Sequence, residues 1–325
     1  MIRTIAKHVL LGNPEIDEVI FHDVPWNRER TNLFRKFSYL FSKNGIGYPY
    51  QLFKIVNYLK RKRFDVAIDL RGDYRNIFFF TYLIGARCRI SFNKTGGSYF
   101  LTHSLEYIPS HHELDKNFRI AQLFGIKKSD DYRIKIPISK DDYDKVNYLL
   151  ENLGIKENDI LIALHPGSKQ IQRWRAERFG ELGDRLIEMY KAKVLLTGVL
   201  TDKDLEVTIT KKIKGNLTSL IGKTSLKELT ALMKRINLLI CNDTGVLHLA
   251  SFMNTPTIAL FGPTDPEVYS HRNITVIRKI LPCVPCNIEK CKIKNQKPGV
   301  CMDELIVDDI FRKIHTLLSN FKGVK

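Results

Sequence analysis

The chain has no apolar run long enough to cross a membrane, and it has no secretory signal at its start. The apolar stretch IFFFTYLIG, from Ile77 to Gly85, is too short to span a bilayer and predicts a buried helix. Internal repeats and low-complexity tracts are also missing. We therefore expect a globular, cytoplasmic protein, and 325 residues with 44% hydrophobic content suffice for two domains of ordinary size.

Acidic residues are scarce, with 35 against 52 basic ones, and the net charge of +17 predicts a polyanionic partner or surface. We do not expect nucleic acid, because no RNA- or DNA-binding motif is present and the basic clusters lack interleaved aromatic residues. An anionic membrane leaflet fits better. A basic face that is merely solvated stays an alternative. The clusters lie at Arg61–Phe64, Lys94–Gly97, Lys211 with Lys212, and across residues 278–297.

The most informative stretch runs from Leu238 to Pro266, where a predicted strand leads into Asn242-Asp243-Thr244-Gly245 and a helix carrying His248. Asp243 is a suitable helix N-cap, and Gly245 permits close approach of a ligand to the backbone. The first-turn amides and the positive end of the helix then favour a phosphate or pyrophosphate. An ordinary α/β turn with a capping aspartate is the alternative interpretation of this stretch.

A second turn of the same kind follows the predicted strand Ile160–Leu164 and reads HPGSKQIQRW. Its glycine and serine, Gly167 and Ser168, offer an amide and a hydroxyl to an anion, while Lys169 and Arg173 offer positive charge. His165 is either a core residue or part of this site. Trp174 is predicted to pack between the loop and the next helix rather than on a base. Two turns suited to binding phosphate, both in the C-terminal half of the chain, favour a nucleotide site.

Together the segments HPGS…RW…RFGELGDRL and NDTGVLHLASFMNTPTIALFGPTDP resemble glycosyltransferase family 9, the ADP-heptose:lipopolysaccharide heptosyltransferases and their relatives. The resemblance covers nearly all of residues 155–311 and is weaker before them. It implies a GT-B fold, with two Rossmann-like domains facing a cleft and the donor nucleotide-sugar on the C-terminal one. It also implies inverting transfer that needs no cofactor, and an anionic, lipid-linked glycan acceptor of the lipopolysaccharide core type.

Carried over by position, the resemblance makes Ser168 a contact of the donor phosphates. Family members often have a lysine where this chain has Gln172, so Lys169 or Arg173 would supply the charge. Asp202 matches the acidic residue that holds the ribose, and the turn containing Thr224 matches the one that reads the nucleobase. The remaining matches hold the pyrophosphate and sugar, with the Asp243 carboxylate capping the helix; they are Asp243, Thr244, Gly245 and His248.

The start of the chain departs from the family pattern, in which a first strand and a Gly-Asp turn carry the proposed general base. Here the chain opens on TIAKHVLLGNPEIDEVIFHD, which resembles the second helix and third strand of that domain. A mis-assigned start, a fragment and a diverged enzyme with its base elsewhere are the three explanations. Asp73 is the candidate base that remains, with the role of helix N-cap as its alternative.

Four of the six cysteines form a cluster, C-x2-C-x4-C-x9-C, that suggests a structural metal before a disulfide in a cytoplasmic protein. An iron–sulfur or redox role and packed, idle thiols are the alternatives. Cys88 and Cys241 look like core residues. The cluster consists of Cys283, Cys286, Cys291 and Cys301.

The order of predicted elements is α/β throughout. Combined with it, the resemblance implies an acceptor-side domain over 1–138, a donor domain over 139–306 and a terminal helix over 307–325 that packs back toward the first domain, as in GT-B enzymes. In the first domain the predicted strands are Glu18–Phe21, Val66–Leu70 and Arg89–Ser91, and the helices are Leu33–Ser42, Gln51–Arg61 and Asn76–Ile84. In the second the predicted strands are Ile160–Leu164, Lys193–Leu196, Ser219–Ile221, Leu238–Cys241 and Thr257–Phe261.

These features favour a metal-independent glycosyltransferase that moves a sugar, here heptose from ADP-heptose, onto a lipopolysaccharide core or a related envelope glycan. Its place would be the cytoplasm, with peripheral contact at the inner face of the inner membrane. The alternative is an inactive nucleotide-sugar-binding remnant without a catalytic base.

Overall fold

The computed structural model describes residues 7–22, 47–128, 136–286, 291 and 299–318. The chain divides into two compact units, one made of Met1–Thr4 and Phe21–Tyr132, the other of Ile5–Ile20 and Arg133–Lys325. The predicted 1–138 domain differs from this division at its start, because a short first helix, α1, packs within the second unit. Among the described residues, no helix is long and apolar enough to cross a lipid bilayer.

The first unit contains a three-stranded parallel sheet in the order β1-β2-β3. Val66 pairs with Cys88, and Ile90 pairs with His103. The strands are β1 Val66–Ile68, β2 Cys88–Phe92 and β3 His103–Leu105, and the helices are α2 Gly47–Arg61, α3 Tyr74–Ile77 and α4 Glu113–Gln122.

Two of the helices predicted here are confirmed in place, and one predicted strand is wrong. The Asn76–Ile84 helix begins as α3 and continues as a π-helical turn over Phe78–Tyr82. Residues 18–20 have no regular structure and Phe21 forms a single bridge, because no strand among the described residues forms a ladder with the predicted strand Glu18–Phe21. The predicted helix Leu33–Ser42 lies outside the described residues.

The second unit is built on a six-stranded parallel sheet in the order β6-β5-β4-β7-β8-β9. The chain winds outward from β4 in one direction and then from β7 in the other, which is the doubly wound order of nucleotide-binding domains. The strands are β4 Leu161–His165, β5 Lys193–Leu196, β6 Leu217–Ser219, β7 Leu238–Asn242, β8 Thr257–Phe261 and β9 Ile274–Arg278.

Helices cover both faces of this sheet, as the continuous apolar strands predict. Alternate residues of each strand enter two separate cores: Ile162 and Leu164 join one, Leu161 and Ala163 the other. The helices of the unit are α1 Lys7–Leu10, α5 Lys140–Asn152, α6 Ala176–Tyr190, α7 Lys203–Thr210, α8 Leu226–Leu232, α9 Gly245–Phe252, α10 Pro266–Tyr269, α11 Val300–Asp303 and α12 Val307–Leu318.

Four of the five strands predicted for this unit are confirmed within a residue of their ends. The fifth, predicted at Ser219–Ile221, lies two residues earlier, and β9 is a strand that the pattern did not predict. Helix α12 buries Ile310 and Ile314 in the core beside α6. Its predicted packing toward the first domain is a contact between the units and stays a prediction.

Candidate functional site

Two loops leave the sheet at the carboxyl ends of β4 and β7, the pair of strands at which the winding direction reverses. These strands are direct neighbours, with His165 paired to Cys241, so the turns that follow them must lie side by side. Ligands of doubly wound sheets bind at this position. The fold thereby brings the HPGS turn and the NDTG turn, predicted separately from the sequence, into one site.

A buried asparagine joins the two turns. Asn242 donates from Nδ2 to the Pro166 carbonyl at 2.8 Å, and its Oδ1 accepts the Trp174 amide at 3.0 Å. Its side chain is completely buried. Asn242 was not predicted as a site residue, although a polar residue that ends an apolar strand before Asp-Thr-Gly was the available signal.

Ser168 lies next to Asp243, as the donor-site prediction requires. The Ser168 hydroxyl donates to the Asp243 carbonyl at 2.8 Å, and Arg173 Nη2 donates to the Ser168 carbonyl at 2.7 Å. Among the described residues, the buried Nε of Arg173 has no hydrogen-bond partner. Lys169 is exposed beside them. Polar hydrogens and positive charge therefore concentrate at this strand end, a suitable environment for an anion.

The predicted capping role of Asp243 is wrong. Helix α9 has Thr244 at its N-cap, and no side chain caps it. The Asp243 carboxylate instead accepts Thr264 Oγ1 at 2.7 Å and Gln172 Nε2 at 3.2 Å. It can do so because the loops after β4 and β8 flank the end of β7. Asp243 therefore connects three loops rather than closing its own helix.

Helix α9 begins at an exposed residue of the site, Gly245. The Leu247 amide donates to the Thr244 carbonyl in the first turn of α9. The amides of residues 244–246 come before this hydrogen bond in the chain, as the orphan amides of a helix start do. Gly245 is exposed, with no heavy atom within 4 Å of the position that a Cβ would take. An exposed helix start favours an anion, and the predicted seat for a phosphate stays a prediction.

His248, in the first turn of α9, forms a hydrogen bond between its Nδ1 and His271 Nε2 at 2.8 Å. The two rings meet edge to face, and Phe252 lies against His271. His271 was not predicted from the sequence, since it belongs to a loop 23 residues further along the chain.

The fold brings Asp202 into contact with the HPGS turn, where its carboxylate packs against Gly167. Its Oδ2 accepts the Val199 amide at 3.0 Å and lies 2.7 Å from the position that a Cβ on Gly167 would take. A side chain at residue 167 would therefore collide with this carboxylate. Asp202 is also largely buried, so its predicted contact with a ribose stays a prediction.

The turn containing Thr224 is hydrogen-bonded to the loop that carries Asp202, through Gly222 and Gly198. Gly222 adopts a positive φ of 70°, and its amide donates to the Gly198 carbonyl at 2.9 Å. Helix α8 then begins with a capping box between Ser225 and Glu228. Thr224 lies half-buried just before that cap, in the turn that follows β6.

His165 is a buried core residue, one of the two roles predicted for it. Its Nδ1 shares a hydrogen bond with Thr197 Oγ1 at 3.0 Å. Burial lowers the pKa of His165 to about 4, and the Asp202 carboxylate offsets only part of this effect. The imidazole is therefore neutral near pH 7.

This low pKa predicts acid sensitivity of the fold. An unfolded histidine titrates near pH 6.5, so protons bind first to the unfolded chain as the pH falls below that value. The free energy of unfolding should fall by about 2 kcal/mol at pH 5 and by about 3 kcal/mol below pH 4 from this residue alone. Urea titrations across this range check it: the His165→Gln variant should lose that part of the pH dependence, and parallel curves for both proteins would contradict it.

Asp73, the candidate base, lies in the first unit and caps α3. Its Oδ1 accepts the Arg75 amide at 3.0 Å, and both carboxylate oxygens bind the Arg75 guanidinium at 2.9 and 2.7 Å. Burial raises the pKa of Asp73, but these hydrogen bonds and the positive charge outweigh it and lower the pKa below its ordinary value. A carboxylate held this way is a weak base.

The positions of the four clustered cysteines do not form the predicted metal site among the described residues. Among the described residues, which include all four cysteines of the cluster, no group of three His, Cys, Asp or Glu side chains is placed to hold a metal ion. Burial raises the pKa of the Cys301 thiol, and Cys286 and Cys283 lie close enough to raise it further. The Cys286 amide donates to the Pro263 carbonyl at 2.9 Å, so this loop is tied to the one carrying Thr264.

Comparison with known proteins shows which family this chain resembles. The family model for glycosyltransferase family 9 (heptosyltransferase) matches residues 52–297. The lipopolysaccharide core heptosyltransferase OpsX of Haemophilus influenzae is 26% identical over 64% of this chain and 60% of its own length. Lipooligosaccharide heptosyltransferase 2 of Campylobacter jejuni is 24% identical over 82% of this chain and 83% of its own length.

Solved structures give the fold. A family 9 glycosyltransferase of Veillonella parvula superposes with a TM-score of 0.74 at 22% identity, covering 97% of this chain and 86% of its own. The Escherichia coli heptosyltransferase WaaC with ADP-2-deoxy-2-fluoro heptose superposes with a TM-score of 0.61 at 18% identity, covering 88% and 82%. The predicted GT-B fold, built from two Rossmann-like α/β units, is confirmed. The chain belongs to glycosyltransferase family 9.

Proposed function

We propose that this chain transfers heptose from ADP-heptose to a lipopolysaccharide core or a related lipid-linked glycan of the cell envelope. The observation that supports it most is the meeting of the Ser168 and Asp243 turns at the reversal point of a doubly wound sheet. The named relatives are heptosyltransferases, and one of them is solved with a fluorinated ADP-heptose. The residue range 139–306 is the donor domain in this proposal, and 1–138 the acceptor domain.

The proposed reaction is a single in-line displacement with inversion at the anomeric carbon. An acceptor hydroxyl attacks C1 of the sugar, a carboxylate takes the hydroxyl proton, and the nucleoside diphosphate leaves toward the amides of Thr244 and Gly245. Lys169 or Arg173 neutralises the charge that develops on the leaving group, so this proposal assigns no role to a catalytic metal. His248 contacts the sugar or pyrophosphate, Asp202 the ribose and the Thr224 turn the base.

Asp73 is the proposed base, and its environment also supports the alternative function. Because its carboxylate is paired with Arg75, the proton transfer requires that this ion pair open when the acceptor binds. If it does not open, the chain is a nucleotide-sugar-binding remnant. A structural zinc on Cys283, Cys286, Cys291 and Cys301 is a separate proposal, which the metal content of the purified protein decides.

We propose that the enzyme acts in the cytoplasm, at the inner face of the inner membrane, and the excess of basic residues supports this location. Lipid-linked acceptors present their glycans at that surface. This location is peripheral, through charge and side chains rather than a spanning helix.

A thermal-shift series with ADP, UDP, GDP and CDP tests the donor. A ligand at about one hundred times its dissociation constant stabilises the folded protein by about 2.7 kcal/mol, and we expect this from ADP alone. A preference for UDP or GDP would move the donor to another nucleotide-sugar. No response from a folded sample would refute the donor site.

A turnover assay separates the enzyme from the remnant. Release of ADP from ADP-heptose should depend on a heptose-deficient lipopolysaccharide acceptor, and the enzyme proposal expects it to occur. An ADP thermal shift without such turnover would instead support the remnant. The donor site and the catalytic activity are in this way tested independently.

A further inference from the structure

Helix α2 in the first unit, Gly47–Arg61, has two faces of opposite character. Leu52, Val56 and Leu59 recur at helical spacing and are buried in the unit. The opposite face carries Tyr50 and Phe53, which are 60% and 63% exposed. Packing within the unit therefore accounts for one face of the helix only.

The exposed face combines aromatic with basic side chains. Lys54 Nζ lies 4.4 Å from the centroid of the Tyr50 ring, and Lys60 and Arg61 are exposed in the last turn. The sequence from residue 47 to 64 contains no acidic residue and continues past the helix as Lys62-Arg63-Phe64. On a helix of 100° per residue, Tyr50, Phe53, Lys54 and Arg61 fall on one side.

We propose that this face of α2 is a docking surface for an anionic lipid bilayer. Exposed rings insert at the level of the lipid headgroups, where an apolar body and a polar end are both satisfied. The neighbouring ammonium and guanidinium groups attract anionic headgroups, and lysine stems extend along the apolar surface. The helix lies in the plane of the interface, with Leu52, Val56 and Leu59 still packed in the protein.

A bilayer fits this surface better than a nucleic acid does. Stacking of bases uses a groove with aromatic platforms, whereas α2 is a convex helix that presents both rings outward. The Lys54–Tyr50 contact also keeps positive charge beside an inserted ring, as at membrane interfaces. The proposal deepens the membrane contact proposed above, and its test needs neither donor nor acceptor.

Vesicle flotation of the full chain tests the surface. The protein should float with vesicles of phosphatidylethanolamine containing about 30% phosphatidylglycerol and not with phosphatidylcholine, and added salt should release it. The double variant Tyr50→Ser/Phe53→Ser should bind at least tenfold more weakly. Lys60→Glu/Arg61→Glu should lower binding by more than about twentyfold, since each basic residue near the surface contributes about a factor of five.

Two matched controls show whether the effect is local. Lys211→Glu/Lys212→Glu changes the net charge by the same amount on another unit, and Tyr148→Ser removes an equally exposed ring from α5; both should bind like the wild type. Equal losses in these controls would overturn the proposal in favour of net charge alone. Binding to phosphatidylcholine at the same strength would overturn it as well.

Hydrogen exchange of the wild-type chain gives a second readout that depends on no variant. Amides of residues 47–64 should gain protection when phosphatidylglycerol vesicles are added. Protection confined to other segments would overturn the proposal. Displacement from the vesicles by an RNA oligonucleotide, with loss of RNA binding in the Lys60/Arg61 variant but not in the Tyr50/Phe53 variant, would identify a nucleic-acid surface instead.

Discussion

Replacing Asp243 by alanine should weaken ADP binding by about one hundredfold, which corresponds to about 2.7 kcal/mol. The Asp243 carboxylate accepts hydrogen bonds from Gln172 and Thr264, which belong to two other loops of the site. Without it, both donors lose their acceptor, at a cost of about 1–3 kcal/mol for each polar group left unsatisfied. The loops that surround the proposed phosphate seat then lose their common anchor.

The Asp243→Asn variant is the matched control for this prediction. Both observed bonds end on the same carboxylate oxygen, so the amide oxygen of asparagine can replace it and keep the loops in place. Asparagine also removes a negative charge beside the expected diphosphate. We therefore expect its ADP affinity to equal or exceed that of the wild type.

Isothermal titration with ADP measures both variants on the folded protein. If the asparagine variant lost as much affinity as the alanine variant, the charge and not the architecture would be the essential property of Asp243. If the alanine variant bound ADP like the wild type, the three loops would not depend on this residue, and the donor site would have to lie elsewhere.

The role of Asp243 also shows where prediction from sequence failed in the site. Helix capping is a local relation, readable over a few residues, and the pattern Asp-Thr-Gly before a helix fits it. The actual partners of Asp243 lie 71 and 21 residues away, at Gln172 and Thr264. Only the order of strands in the sheet brings them together, and a single sequence does not contain that order.

The strands were more predictable than the contacts between them. The buried strands β4, β7 and β8 are continuous apolar runs that end at polar turns, so their positions follow from composition. Strand β9, Ile274–Arg278, has only one fully buried residue and lies at the edge of the sheet, where the apolar signal is weak. The predicted strand Glu18–Phe21 is wrong for the opposite reason: its pattern suits a strand, but no strand in the described part of the chain pairs with it.

The π-helical turn Phe78–Tyr82 is a further feature that the spacing of apolar residues does not predict. The predicted helix over Asn76–Ile84 has the right place and length, but its hydrogen bonds widen in the middle, as in the bond from Leu83 to the Phe78 carbonyl. Clustered aromatic rings accompany this turn, with Phe78 stacked on Tyr82 and tilted against Phe100. This widening depends on local packing rather than on the apolar period, so the sequence pattern predicts the helix and not its type.

Trp174→Ala should lower the free energy of unfolding of the second unit by about 3–5 kcal/mol, the usual cost of removing a fully buried large ring. Trp174 is completely buried, and its ring meets Phe179 edge to face at 5.0 Å. Its indole Nε1 donates to the Leu305 carbonyl at 2.8 Å, across 131 residues of chain. The predicted packing between loop and helix is therefore confirmed.

Because the chain has two units, hydrogen exchange of the β4 and β7 amides is a better measure than a whole-chain melting curve. Trp174→Phe keeps the ring contact and loses the indole bond, so we expect a smaller loss of about 1–2 kcal/mol. Tyr148→Ala, which removes a ring that is 67% exposed, should change the free energy by less than about 0.5 kcal/mol.

The same three variants decide whether Trp174 acts on the fold or on the nucleotide. A ring that stacked on a base would show its loss in ADP affinity with little change in amide exchange. A ring that holds the HPGS loop to α6 and to Leu305 should show the reverse order: stability falls first, and ADP affinity falls only as the loop loosens. A Trp174→Ala variant with wild-type exchange rates would contradict the packing role, because no buried ring of this size can be removed without cost.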